Sequence, residues 1–428
     1  MSAHPNDPGP QQAPAAQANT ADRFGGLFGR YALVFVADIA SRALRFVADV
    51  VLVRHFSQVV FGQLNLAQSL AIQGMGIATC GLDTAGMRDI AKAPQATPTI
   101  AATVVMLRFV MGMFAWGATL AVTWFVPQYH DSFRMVALYG LSMFTGALTV
   151  GWVAQGRGLM HVVGLAMLAT HAVYFVGVEL VVLFRWPPIA VPLALVTAEA
   201  MCACGLFIWI VRAIGPLTRP LPLIDTLRFL RASLPIGGSN ILRGITLASD
   251  VLVLGLFAGK SEVGLYAAAF KLYSLGLAVV ALYLSVLLPD LARRTAQSRA
   301  AVMTGLLSAL GRVLVAAIPM TLAGMLFAAT ALRLLFGPDF ETATRALQIL
   351  LLALPIALVG GHYHAALFAV GCQRHVLALL AIGTVIHIAA KLLLVPFFGI
   401  TGAAWGTLAG EFAVMLCSWY VARTVVAD

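Results

Sequence analysis

Twelve stretches of twenty or more largely apolar residues follow one another along the chain, near 30–53, 60–87, 99–126, 133–154, 159–184, 190–212, 230–257, 263–288, 302–329, 343–370, 375–395 and 402–424. An α-helix needs about 20 residues to cross a hydrocarbon layer roughly 30 Å thick. Only helices and closed barrels can make the crossing, because every backbone N–H and C=O must be paired internally. The short alternating segments of a barrel are missing here. The expected fold is therefore an all-α polytopic membrane protein with about 12 transmembrane helices. Composition agrees: 61% of the 428 residues are hydrophobic and 10% are charged, far from the balance of a soluble domain.

The net charge of +10 is expected to be topological, since Lys and Arg collect in cytoplasmic loops. It does not point to nucleic acid. With the N-terminus inside, the cytoplasmic junctions hold Arg88, Lys92, Arg157, Arg293 and Arg294 among others, and outnumber the basic residues opposite. Both termini are thus expected in the cytoplasm. Residues 1–27, with four prolines in the first fourteen positions, read as a disordered cytoplasmic tail. The connection "IGPLTRPLPLIDT" divides the rest into 28–213 and 228–428, with 214–227 as a cytoplasmic linker. The five cysteines lie in or beside apolar segments and read as packing residues, with no metal or redox site.

The first span holds the least economical feature, "VADIASRALRFVADVVLV". Asp38, Arg42, Arg45 and Asp49 stand at intervals of four, three and four, so they share one helix face. Each ionised group costs about 2.5–3.5 kcal/mol at mid-membrane. Two readings stay open, a buried ion-pair ladder or the polar wall of a wet cavity. Buried pairs often fail to recover their desolvation cost, so packing alone is a weak reason to keep them.

The face is repeated. Shifted by 201 positions, "ADIASRALRFVADVVLVRHF" lies on "GSNILRGITLASDVLVLGLF", with Arg42 on Arg243 and Asp49 on Asp250. "VPQYHDSFR" likewise parallels "GPDFETATR", and "AQGRG" parallels "GCQRH". Each half has six spans and both begin on the same side, so the repeat axis should follow the membrane normal. Two pseudo-symmetric six-helix lobes around a central cavity are expected.

At "FGQLNLAQSLAIQGMGIATCGLDTAGMRDIA" (61–91) and "LFGPDFETATRALQIL" (335–350) the chain resembles bacterial polysaccharide and O-antigen flippases of the multidrug/oligosaccharidyl-lipid/polysaccharide exporter superfamily. The resemblance runs over about 28–425. The fourteen-span lipid II flippases of the superfamily are less similar. The resemblance implies alternating access in the bacterial inner membrane: an undecaprenyl-diphosphate-linked oligosaccharide is taken from the cytoplasmic leaflet and released outward. It implies no bound cofactor beyond a proton or sodium gradient. The partners implied are the lipid-linked oligosaccharide, membrane lipids, and the polysaccharide polymerase and chain-length machinery.

A diphosphate needs guanidinium or ammonium donors. Arg42, Arg45 and Arg243 are the first candidates, followed by Lys271 in the eighth span, where the resemblance also implies a basic cavity residue, and Arg108 in the third. Ion-coupling candidates are Asp49, Asp250, Asp38 and Glu179. Asp250 is preferred because Thr246, not an arginine, stands one turn before it. Glu199 and Glu411 are isolated acids that serve either the cavity or helix packing. Asp83, Arg88 and Pro235 are candidates for gate or hinge, and His387 and Lys391 are placed near the outer side. Two rivals remain. A cation-coupled multidrug antiporter would want a more acidic cavity, and a membrane polymerase or ligase would carry a long outer loop that this chain lacks. No phosphate-binding P-loop is present.

Overall fold

A computed structural model describes residues 18–295 and 299–426, with side chains described for 34–294, 302–372 and 375–425. Most of the expected tail, residues 1–17, lies outside the described residues. Helix α1 (Ala18–His55) nevertheless starts ten residues before that tail was expected to end. The prolines stop at position 14, so nothing in Ala18–Arg23 prevents a helix.

The second crossing is α2 (Gln58–Thr79) and α3 (Leu82–Lys92), separated by Cys80 and Gly81, both left-handed at φ 42° and 74°. The third is α4 (Thr97–Phe125). The fourth is segmented: a 3₁₀ turn (Pro127–Ser132), then α5 (Phe133–Gly140), α6 (Ser142–Leu148) and α7 (Gly151–Gly156). α8 (Met160–Leu183) and α9 (Ala190–Ile214) complete the first half. The second half holds α10 (Leu223–Phe257), α11 (Lys260–Thr295), α12 (Arg299–Leu326), the short α13 (Ala328–Phe336), a 3₁₀ turn (Pro338–Ala343), α14 (Thr344–Ala369) and α15 (Gln373–Val426).

Among the described residues, nine stretches are long and apolar enough to cross a membrane. The last of them bends at Gly399 (φ 53°) and folds back on itself. A methyl added to Gly402 would meet the Leu394 carbonyl, one on Gly406 would meet Lys391, and one on Gly410 would meet His387. Those contacts are the ladder of an antiparallel helical hairpin joined through a glycine face. This stretch therefore crosses twice. The charges of α1 and the four glutamines and one asparagine of α2 make two further crossings less apolar than the rest, and with them the total reaches the twelve expected. The described residues contain no strand.

In the first half α1 packs on α8, α8 on α9, and α2 on α4; in the second, α14 and α10 pack on α15 and α11 on α14. The halves meet where α2 lies against α11 and α10. Away from the end where α1 begins, one apolar core runs through both halves, from Leu52, Phe61 and Tyr129 to Leu254, Tyr266 and Phe340. Towards the end where α1 begins the core divides, with Ile90, Trp152 and Ile210 in one lobe and Leu291, Leu306 and Val376 in the other. The lobes thus share one core at one end, while at the other each has its own core and α10 of the second lobe runs along the first.

The joint repeats about a pseudo-twofold. Gly62 of α2 and Gly264 of α11, 202 positions apart, face one another so closely that a methyl on Gly62 would sit 1.8 Å from the Lys260 carbonyl and one on Gly264 would sit 2.2 Å from that of Gln58. Beside them, Gln58 donates to the Asp339 carbonyl at 2.8 Å and Lys260 donates to the Gln128 carbonyl. These are the same clasp made twice, each reaching the turn that follows Pro127 or Pro338. Tyr129 donates to the Leu252 carbonyl at 2.7 Å, and Arg54 caps the last carbonyls of α13 at Leu334 and Leu335.

Because the Gly62 and Gly264 positions face backbone, which cannot yield as a side chain can, Gly62→Leu or Gly264→Leu is expected to destabilise the protein by about 1–3 kcal/mol or more. Thermal unfolding in detergent micelles measures this. Gly117→Leu, at a position with nothing within 4 Å, is expected to leave the melting temperature in place.

Candidate functional site

Between the lobes lies a cavity of about 600 Å³. Its walls are α1 (Asp38, Ser41, Arg42, Arg45, Asp49), α2 (Gln68, Met75), α5 and α6 (Tyr139, Ser142), α8 (His171), α9 (Glu199) and, from the second lobe, α11 (Lys271, Ser274). The four charges of the first span therefore form a cavity wall, and they also form pairs. Arg42 Nε donates to Asp38 Oδ2 at 2.8 Å at an exposed position, and Arg45 Nε stands 3.8 Å from Asp49 Oδ2. The face lines a cavity, and its outer pair is exposed, so the four charges do not form a buried ladder.

The centre of the site is Asp49. Lys271 Nζ reaches across the cavity from α11 to donate to Asp49 Oδ2 at 2.6 Å. Arg45 stacks at 4.8 Å over the ring of Tyr174, which is buried on α8, and Lys271 lies 5.7 Å from the ring centre of Phe61 on α2. One carboxylate thus holds an arginine of one lobe and a lysine of the other, with aromatic faces behind both cations. The Asp49 and Lys271 side chains keep 10% and 16% of their exposure, so cavity water still reaches the pair.

The repeat of this face on α10 is placed differently. α10 is held along α2 by backbone contact at Gly81 and Gly237 and by Gln73 Nε2 donating to the Gly244 carbonyl at 2.8 Å. That turns its polar face towards α15. Thr246 bonds Thr384 at 2.7 Å, and Asp250 accepts from Lys391 Nζ and Thr407 Oγ1, each at 2.8 Å. Lys391 also donates to Ser249 Oγ at 2.7 Å. Side-chain exposure here is 2% for Asp250 and 0% for Lys391.

This geometry corrects two expectations. Asp250 was preferred for lacking a basic neighbour on its own helix, yet α15 supplies an ammonium and closes it off from the cavity. Lys391 and His387, which the sequence offered for contact with sugar or the membrane interface, are buried inside the second lobe, Lys391 with its stem against Gly406. Arg243 is exposed on α10 and lines neither this cavity nor the one adjoining it. It therefore does not join Arg42 and Arg45.

Arg108 is buried at 4% exposure and committed to Asp83 Oδ1 (2.8 Å) and the Thr149 carbonyl (3.3 Å). Through Nη1 it braces α4 against α3 and α6, and it lines the smaller cavity that adjoins this one. Glu179 is exposed on α8 and lines neither cavity. Arg88 is exposed and bonds its neighbour Asp89 at 2.9 Å. Pro235 lies inside an unbroken α10, two residues before the Gly237 contact with α2. Sequence reasoning missed the partners Tyr174 and Tyr139 and the Asp250–Lys391 pair. A signal existed for the last, the one lysine of the 375–395 span and the one acid of the 230–257 span, both in the same half.

The family model for polysaccharide biosynthesis proteins matches residues 31–295. The chain belongs to that family. No curated protein matches it in sequence. Among solved structures it resembles an inward-facing multidrug resistance MATE family transporter of the MOP superfamily, with a TM-score of 0.75 and 15% identity, covering 90% of this chain and 94% of that one. It resembles the lipid II flippase MurJ, inward closed, with a TM-score of 0.77 and 12% identity over 91% of this chain and 87% of that one. An outward-facing MATE family transporter scores 0.58 at 14% identity over 94% and 95%. The fold is the one these solved transporters share. In fold, the likeness reaches the lipid II flippase as fully as the multidrug transporter.

The two carboxylates should respond differently to loss of their lysines. Lys391→Ala leaves a buried charge without its ammonium and is expected to destabilise by about 3–5 kcal/mol, with partial recovery in Lys391→Met combined with Asp250→Asn. Lys271→Ala, where water and Arg45 remain, is expected to cost about 1 kcal/mol or less. Unfolding in detergent, followed by tryptophan fluorescence, separates the two.

Proposed function

We propose that the protein flips an undecaprenyl-diphosphate-linked oligosaccharide, the repeat unit of an O-antigen or other surface polysaccharide, across the bacterial inner membrane by alternating access. The observation that carries this is the Asp49 carboxylate held by Arg45 and Lys271. Phosphate oxygens use the same donors as a carboxylate, so a diphosphate entering the cavity would meet a cationic clamp contributed by both lobes. A shared core at the joint and divided cores at the opposite end correspond to a cavity open towards the cytoplasm. The higher TM-scores against inward states support that assignment, with both termini on the cytoplasmic side. Membrane lipids, and downstream the polymerase and chain-length machinery, are its partners.

Asp49 competes with the diphosphate for Arg45 and Lys271. Protonating it removes the competitor, which couples a proton to substrate binding and favours Asp49 over Asp250 as the coupling carboxylate. Asp38 stands in the same relation to Arg42. A cation-drug antiporter is the weaker reading, because Asp38 and Asp49 are already neutralised by bases in the same wall.

In cells, Arg45→Ala and Lys271→Ala are expected to cut surface polysaccharide by roughly tenfold or more, the loss of about 1.4 kcal/mol or more of charge-assisted bonding, while lipid-linked oligosaccharide accumulates facing inward. Normal export by both variants, made at normal levels, removes the proposal. With purified protein, Asp49→Asn should bind undecaprenyl diphosphate more tightly than the native chain, because no carboxylate then occupies the two cations.

A further inference from the structure

In the second lobe, at the joint end, a cavity of about 380 Å³ lies between the last turn of α12, the first turns of α14 and the start of the second limb of α15. Its mouth is on the flank, where Leu352 and Trp405 are exposed, as are Leu322 and Leu326 of α12 and Phe398 at the bend of α15. An apolar surface of that kind on a polytopic helical protein is covered by lipid. The lining is graded. Arg345, in the first turn of α14, makes no hydrogen bond or ion pair with any described residue, whereas Arg54 and Lys260 at the same end are spent on carbonyls across the joint. Gln348 Nε2 donates to the Met325 carbonyl at 3.1 Å and ties α14 to α12, which leaves Oε1 as an acceptor. Thr401 Oγ1 gives its proton to the Phe398 carbonyl at 2.7 Å and keeps its lone pairs. Deeper along the helices come Ile349, Leu352 and the ring of Trp405. At 1.5 Å per residue, Arg345 to Leu352 descends about 10 Å and Thr401 to Trp405 about 6 Å. The wall therefore runs from cation through acceptors to hydrocarbon in the direction from the membrane surface inwards. The first lobe closes the corresponding place. Arg134 and Ala137 precede Arg345 and Gln348 by the same 211 positions that separate Pro127 from Pro338, and there Trp116 donates to the Ala137 carbonyl at 3.1 Å with its ring over Gly140.

We propose that this cavity holds one anionic phospholipid, a phosphatidylglycerol of the leaflet on the joint side, with its phosphate on Arg345, its headgroup hydroxyls on Gln348 Oε1 and Thr401 Oγ1, and its first methylenes along Ile349, Leu352 and Trp405. Charge selects the headgroup. A phosphatidylethanolamine brings its own ammonium beside the phosphate and leaves Arg345 uncompensated, whereas phosphatidylglycerol carries a net negative charge and hydroxyl donors for the two acceptors. The gradient selects the source, because a free phosphate would leave the apolar half of the cavity unfilled and a lipid of the opposite leaflet would present its ends in reverse. Trp405, apolar with one N–H, is the residue type that settles at the boundary of headgroup and chain. The volume is that of a small ligand pocket, enough for the headgroup and glycerol while the chains run out over the flank. A lipid seated there touches α12, α14 and α15 together, and so ties the second lobe to the leaflet at which the lobes share their core. The site lies outside the central cavity and does not depend on what that cavity carries.

The test uses the purified, delipidated full chain in detergent micelles, with dioleoyl phosphatidylglycerol, dioleoyl phosphatidylethanolamine and inorganic phosphate as probes and bound lipid read by native mass spectrometry. Phosphatidylglycerol is expected to bind about fivefold more tightly than phosphatidylethanolamine, the factor equivalent to about 1 kcal/mol for one base beside an anionic headgroup. Arg345→Gln should bring the two lipids to parity, and Arg134→Gln, at the corresponding position of the first lobe, should leave the preference intact. Equal binding of the two lipids by the native chain overturns the proposal, as does an equal loss of preference in both variants, which would mean diffuse surface charge. Displacement of the lipid by inorganic phosphate overturns it in favour of a free-anion site. A second measurement needs no variant: phosphatidylglycerol carrying a diazirine on the first carbons of one chain should label residues within 345–352 and 401–405 of the native protein. Label spread evenly over the lipid-facing helices overturns the site, whether or not Arg345→Gln can be recovered folded.

Discussion

An ionised side chain inside a hydrocarbon layer must carry its counterion with it or keep water beside it. The two lobes meet that requirement in opposite ways. In the first, Asp49 finds Arg45 on its own helix and Lys271 on the other lobe, in a cavity that water still reaches. In the second, Asp250 finds Lys391 and Thr407 within its own lobe and is sealed from solvent. A duplicated acid has become a movable contact in one half and a fixed brace in the other. The wet pair can exchange its partners at small cost because solvent offsets the change, whereas the dry pair would lose several kcal/mol, of the order seen when buried ion pairs are broken.

That difference has meaning only because the lobes share a core at one end. The glycine contact at Gly62 and Gly264 brings α2 and α11 to backbone distance, and the clasps from Gln58 and Lys260 flank it with the same geometry on both sides. Side-chain bonds to carbonyls can be made and lost without repacking a core. The divided cores at the opposite end give each lobe its own interior to move with.

Much of this was legible in the sequence. The twelve crossings followed from apolar length, and the repeat followed from rare charges recurring at a constant offset. Arg42, Arg45, Asp49 and Lys271 were found because ions in a span are costly and therefore few. What the sequence did not disclose was rotation. Helical periodicity puts Arg243 and Asp250 on one face of α10, but the direction of that face depends on Gly81, Gly237 and Gln73 drawing α10 against α2, contacts made by residues too ordinary to stand out.

The hairpin of α15 extends the argument. Its two limbs touch through Gly402, Gly406 and Gly410, and the stem of Lys391 lies in that glycine face while its ammonium is held by α10. Rotation of either limb about its own axis would drive side chains into the neighbouring backbone or pull the ammonium from its carboxylate. The two limbs of α15 and α10 are therefore keyed to one relative rotation, so that the three helices form a single rigid plate within the second lobe.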